Sequence, residues 1–215
     1  MSSEQSDHEG VRLYHTAAQG LRTRAAAPLA ARARARRHAR FFPLTGADQR
    51  TRILDVGCGE LGLRALDPSL DVTGVDLVPR PHYPGPFLEA DAAARLPFAD
   101  SEFDLAYSSS VIEHIEPGAA RERFARELRR VARGWFVQTP AYSFPLEPHA
   151  LLPGAHWLPP AARRRYWRLG VSGDWEQIAL LRRREMVHLF GEPLVAERAG
   201  PLVKSWISVR VPSVR

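Results

Sequence analysis

The chain has 215 residues, 45% hydrophobic and 25% charged, a balance that excludes disordered and collagen-like classes and fits one globular domain with a modest insertion. Lys+Arg is 30 against 24 Asp+Glu, a formal charge of +6, but Lys204 is the only lysine, so an arginine excess beside abundant alanine reads as GC-rich coding on solvated faces, and no nucleic-acid partner is expected. The single cysteine, Cys58, excludes a disulfide scaffold and a cysteine-built zinc site, and no apolar run approaches the ~18 residues of a membrane-spanning helix.

The opening MSSEQSDHEG is polar and acidic, unlike a secretory signal, so a cytoplasmic protein is expected. Residues 11–42 read as helix, interrupted at Pro28. Arginines 32, 34, 36, 37 and 40 leave its second piece no wide apolar stripe, which predicts a surface position. Short apolar runs then predict strands at 51–57, 71–76, 86–91, 103–107 and 134–138, with a helix over 118–131. Between Gly59 and Asp71 there is room for two or three helical turns, whereas the proline-rich stretch 78–86 predicts an irregular loop. Residues 141–190 are far longer than an ordinary connection and predict a helical cap, with helices at 160–169 and 174–190. A hairpin of 194–197 and 202–211 turns at Gly200-Pro201.

Strands alternating with helices predict an α/β fold: a doubly wound, mostly parallel, Rossmann-like sheet with an antiparallel C-terminal hairpin and a helical cap insertion. The expected divisions are 1–50, an N-terminal helical segment; 51–140, the cofactor-binding core; 141–190, the substrate cap; and 191–215, the closing strands. Such sheets bind ligands beyond the carboxyl ends of their strands. Glycines 57, 59 and 62 follow the first strand and admit close backbone approach. Asp76 ends the second strand, 21 residues beyond Asp55, where a carboxylate can accept two ribose hydroxyls. Asp91-Ala92 follows the third strand, placed to meet an adenine edge, and Ser108 to His114 follow the fourth. The spacing Gly57-x-Gly59-x-x-Gly62 also matches a nicotinamide-cofactor fingerprint, which alone is weak evidence.

The series ILDVGCGELG (53–62), VTGVDL (72–77), EADAAARLPFADSEFDLAYSSSVIEHI (89–115) and 135–138 resembles class I S-adenosylmethionine-dependent methyltransferases. TPAYSFPLEPHALLP (139–153) resembles a loop of their bacterial small-molecule branch, with Ala141 where asparagine is frequent. The resemblance implies S-adenosyl-L-methionine as cofactor. Asp55, Gly57, Cys58 and Gly59 would line its methionine portion, with hydrogen bonding to its ammonium. Asp76 would bind the ribose and Leu77 flank the adenine. Asp91 and the Ala92 amide would read the adenine edge, and Ser108 would stand near the amino-acid part and the sulfonium.

Methyl transfer needs alignment, water exclusion and removal of a proton from the acceptor. Candidate bases are His114, His149 and Glu147, or Tyr14 and His15 should the N-terminal helix close the cleft; Tyr142 is placed beside them. Of Glu113 and His114, one is expected to face the site. The cap aromatics Tyr142, Phe144, Trp157, Tyr166, Trp167 and Trp175 form either the cap's own core or substrate walls, and the arginine trios 163–165 and 182–184 are expected to face solvent. No metal is expected. The leading expectation is a methyltransferase acting on a small specialised metabolite, as a monomer or homodimer. A cyclase of the same fold, turning the cofactor into azetidine-2-carboxylate and methylthioadenosine, is the alternative; an RNA-binding or RNA-modifying protein is the second.

Overall fold

The computed structural model describes residues 32, 35, 36, 39–171 and 178–212. Pro28, Tyr14, His15 and Trp175 lie outside them. Two compact units emerge: a larger one of residues 35–144 and 178–212, and a smaller one built on 145–171 among the described residues. No helix among the described residues is long and apolar enough to cross a membrane.

The larger unit is a seven-stranded sheet ordered β3-β2-β1-β4-β5-β9-β8. Strands β1 (Arg52–Val56), β2 (Asp71–Asp76), β3 (Phe87–Glu89), β4 (Phe103–Ser109) and β5 (Ala132–Pro140) run parallel. β9 (Leu202–Arg210) pairs antiparallel with β5, and β8 (Leu194–Ala199) antiparallel with β9. This is the doubly wound sheet with its closing hairpin that alternating strands and helices predict. Order reverses between β1 and β4, so the carboxyl ends of those two strands flank the crevice where such sheets take ligands.

Period-two alternation divides the core. Leu54, Val56, Val75, Ala106, Trp135 and Val137 face one side, against α1 (Ala119–Val131) through Phe124, Leu128 and Val131. Ile53, Val72, Leu105, Tyr107, Phe136 and Ile207 face the other. On that second side the described part of the N-terminal helix ends: residues 41–45 are helical, and Phe41 is wholly buried edge-on to Tyr107 and Phe136 at 5.2 and 5.6 Å. The helix therefore runs past Phe42 and docks by one aromatic anchor, while Arg36 stays exposed. Thr45 and Gly46 close it, with Gly46 N–H donating to the Phe42 carbonyl at φ +68°.

Three expectations change. Residues 60–66 form turns and not helix: Gly62 sits at φ +52°, Pro68 follows, and the Leu63 amide donates to the Asp55 side chain. The third strand is only Phe87–Glu89. Of the predicted helix 174–190, the described residues 178–190 are helical only at Arg183–Phe190 (α3); 178–180 carry no regular structure and Leu181 bridges Ala141 in parallel, with Ala179 N–H bonded to the Glu113 carbonyl and Tyr142 N–H to that of Leu181. The buried run Ile178, Leu180, Leu181 suits an extended or a helical segment equally, and pairing decided it.

The smaller unit carries a two-rung ladder, β6 (Leu146–Glu147) with β7 (Leu152–Pro153), a 3-10 turn at Ala155–Trp157 and α2 (Pro160–Trp167), which opens on proline as a first helical turn allows. Trp167 and Leu152 are buried, whereas Trp157 is 48% exposed. A side chain at Gly170 would meet Ala150 at 2.6 Å, so glycine lets the chain pass there and the Val171 amide bond to the Ala150 carbonyl.

Candidate active site

At the carboxyl ends of β1 and β2 the chain binds itself closely. Gly57 and Cys58 N–H both donate to the Val75 carbonyl, at 2.8 and 3.2 Å. Gly59 N–H donates to Asp76 Oδ2 at 2.9 Å. The other Asp76 oxygen accepts from Val78 N–H at 3.3 Å and from Arg80 Nη2 at 3.1 Å, and Arg80 Nε lies 3.1 Å from Oδ2. A carboxylate has about four acceptor positions. Asp76, 8% exposed, thus reaches the strand end with most of its capacity already used.

Asp55 is buried. Its Oδ2 accepts the Leu63 amide at 2.6 Å, and burial pushes its carboxyl up to about 7 from an ordinary 3.8, with nearby Asp76 adding to the rise. Its visible work is to hold the turn after β1. Burial likewise pushes the Cys58 thiol up, with Asp55 and Asp76 adding to it, so this thiol is a packed group and no nucleophile. The Tyr83 ring lies within 2.5 Å of where a Cβ on Gly62 or Gly74 would stand, so the proline-rich loop lays an aromatic into a slot made by two glycines. Sequence reasoning missed Tyr83; its signal was glycine inside the strand DVTGVD, a mark of close approach.

Gly57 and Gly59 differ. Both have positive φ, +72° and +60°. A Cβ on Gly57 would run into Val111, whereas one on Gly59 would touch nothing within 4 Å. A side chain at Gly57 would therefore invade the protein itself. Leu77 is 52% exposed, Asp91 is exposed with Oδ1 accepting the Ala93 amide at 2.7 Å, and Ala92 is half-buried.

Past β4 the side chains turn polar. Ser108 is buried opposite Val56. Ser109 and Ser110 hydroxyls donate to Gln138 Oε1 at 2.8 and 3.3 Å, while the Gln138 Nε2 is buried without a partner. Glu113 is fully buried and accepts from Thr139 Oγ1 at 2.9 Å; His114 is half-buried. Tyr142 lies under the Arg182 guanidinium, 3.8 Å from the ring centroid.

In the smaller unit Glu147 and His149 form a dyad. Glu147 is 1% exposed; its Oε2 accepts the amides of His149 and Ala150, at 2.9 and 2.6 Å, and its Oε1 lies 2.7 Å from His149 Nδ1. This geometry holds the ring through Nδ1, which donates to the ionised carboxylate. The arginines of 164–165 and 182–184 are exposed, and Arg163 is half-buried.

The residues beyond β1, β2 and β3 fit a nucleoside with an amino-acid tail. Glycine 59 opens onto free space, a carboxylate ends β2, and an exposed leucine and aspartate follow. Residues 54–137 match the family model described as a methyltransferase domain. No curated protein matches the chain. Among solved structures, a SAM-dependent methyltransferase from Methanosarcina mazei is 17% identical over 78% of this chain and 95% of its own, with a TM-score of 0.50. The PH0226 protein from Pyrococcus horikoshii is 19% identical, covering 76% and 82%, with a TM-score of 0.54. The pyocyanin biosynthetic protein PhzM is 16% identical over 92% of this chain but only 60% of its own, with a TM-score of 0.56. These likenesses show the same fold.

Proposed function

We propose, for a chain whose residues 54–137 form a class I S-adenosylmethionine-dependent methyltransferase domain with S-adenosylmethionine as cofactor, that it methylates a small organic acceptor, with His149 removing the acceptor's proton. The observation that carries this reading is the Glu147–His149 dyad: a buried carboxylate, bonded to two backbone amides, holds one nitrogen of an imidazole ring and so fixes its orientation.

The cofactor, when bound, supplies a sulfonium-activated methyl group. Asp76 would hold its ribose by giving up its two contacts to the Arg80 guanidinium, Leu77 would cover one face of the adenine, and Asp91 with the Ala92 amide would meet the adenine edge. His149 takes the proton from an oxygen or nitrogen acceptor, and Glu147 stabilises the imidazolium that results. The unit around 145–171 is proposed as the substrate cap, a role that its own small core supports.

The test is turnover with the full chain, S-adenosylmethionine and a pooled metabolite extract, following S-adenosylhomocysteine. His149→Ala should lower the rate at least tenfold while cofactor affinity stays within a few-fold, and Glu147→Gln should lower it less. Equal turnover in wild type and His149→Ala would remove the base assignment.

A further inference from the structure

We propose that Arg80 is a built-in competitor for the ribose: its guanidinium holds Asp76, and the cofactor binds by displacing it. This rests on the cofactor reading above and adds a residue that neither motif nor resemblance assigned.

A carboxylate has about four acceptor positions, and Asp76 has four nitrogens against it. Two are backbone amides, Gly59 N–H at 2.9 Å and Val78 N–H at 3.3 Å. Two belong to one side chain: Arg80 Nη2 lies 3.1 Å from Oδ1, and Arg80 Nε 3.1 Å from Oδ2. A ribose diol brings two hydroxyl donors and needs two places. The amides are fixed by the backbone, since Gly59 follows two residues whose own amides are tied to the Val75 carbonyl, and Val78 stands two residues from Asp76 itself. The guanidinium ends a stem of rotatable bonds, so it is the partner that can leave.

The loop favours a swing of that side chain over a shift of the backbone. Pro79 and Pro81 flank Arg80, each with its φ locked. Tyr83 N–H donates to the Arg80 carbonyl at 3.0 Å, and the Tyr83 ring fills the slot made by Gly62 and Gly74. Gly74 N–H in turn donates to the Pro86 carbonyl at 2.8 Å.

The pair is close but incomplete. The Arg80 and Asp76 side chains are 11% and 10% exposed, so solvent screens their attraction little. Yet only Nη2 makes an aligned bond; Nε is buried and, although near Oδ2, completes no hydrogen bond. A fork engaged on one prong is weaker than the bidentate grip arginine can give a carboxylate. Two well-placed hydroxyls can replace it. The binding-competent state is then the one with Arg80 off Asp76, and the apparent affinity is the intrinsic affinity scaled by that state's population.

Arg80→Met keeps an apolar stem and removes the guanidinium. Calorimetry on the full chain compares it with wild type, using S-adenosylhomocysteine directly and adenosine and 2′,3′-dideoxyadenosine by displacement. Arg80→Met is expected to bind S-adenosylhomocysteine and adenosine about fivefold tighter or more, and 2′,3′-dideoxyadenosine, which has no diol to offer Asp76, within about twofold of wild type. Unchanged or weaker binding of the first two would overturn the proposal. Equal tightening of all three would also overturn it, because the effect would then act through the site's charge and not through the diol. Should a melting curve show Arg80→Met unfolded, Arg80→Lys decides: one ammonium cannot span both oxygens, so S-adenosylhomocysteine should bind about twofold tighter or more, and unchanged or weaker binding would count against the proposal. If neither wild type nor a folded variant binds S-adenosylhomocysteine, the cofactor reading itself fails, and this assignment with it.

Discussion

Asp55 and Asp76 are neighbouring carboxylates with opposite duties. Burial raises the Asp55 carboxyl to about 7, above the ordinary 3.8. Between those values the native state holds a proton that the unfolded chain has released, so its stability falls as pH rises, and the loss is complete above about 7. Asp55→Asn keeps an oxygen for the Leu63 amide and removes the titration. Denaturant midpoints at pH 5 and pH 8 should show a smaller drop in Asp55→Asn than in wild type. The same drop in both would place the proton elsewhere. Asp76→Ala acts on binding: it leaves ribose hydroxyls poorly paired and is expected to weaken cofactor binding by about 1–3 kcal/mol. Because it also strips Arg80 of a partner, calorimetry should be accompanied by a melting curve; unchanged affinity in a folded variant would contradict the ribose assignment.

At the scale of the element, the loop after β1 and the helix after β4 carry separate predictions. Gly57→Ala meets Val111 and a positive φ together and should destabilise the fold by more than Gly59→Ala, which meets only the backbone strain of about 1–2 kcal/mol. Thermal melts of the two variants decide it, and the reverse order would contradict the packing described. Arg121 on α1 is 2% exposed and bonds the carbonyls of Ile115 and Ala179 and the carboxylate of Glu185 on α3. Arg121→Ala should lower stability by about 2–4 kcal/mol, and Arg121→Lys should restore little, because one ammonium cannot reproduce a fork. A change within experimental error by urea titration would show that fork to be dispensable.

The same elements show what the chain's text discloses. Strands β1, β2, β4 and β5 were legible because each is a short apolar run bounded by polar or glycine residues, and their order of appearance implied parallel pairing. That Asp76 ends β2, with Leu77 just after it and Asp91 just past β3, was legible because the apolar runs mark where those strands stop. The turn at 60–66 was not: a side chain eight residues away takes the Leu63 amide. Nor was the extended course of 178–182, whose partners lie at Glu113, Ala141 and Tyr142. The collision awaiting a side chain at Gly57 depends on Val111, which no local pattern encodes.

For the whole molecule, the larger unit presents the crevice proposed for the cofactor and the smaller one a carboxylate-oriented histidine. Fold likeness alone leaves open whether the cofactor's methyl group or its carbon chain is the reacting part, since one sheet serves several chemistries. The products separate these outcomes. Incubating the full chain with S-adenosylmethionine, first alone and then with a pooled metabolite extract, and following both by mass spectrometry, tests the central claim most directly. The expected result is little turnover alone, and S-adenosylhomocysteine together with an acceptor heavier by one methyl group when the extract is present. Methylthioadenosine released from the cofactor alone, with no methylated acceptor in either mixture, would contradict it.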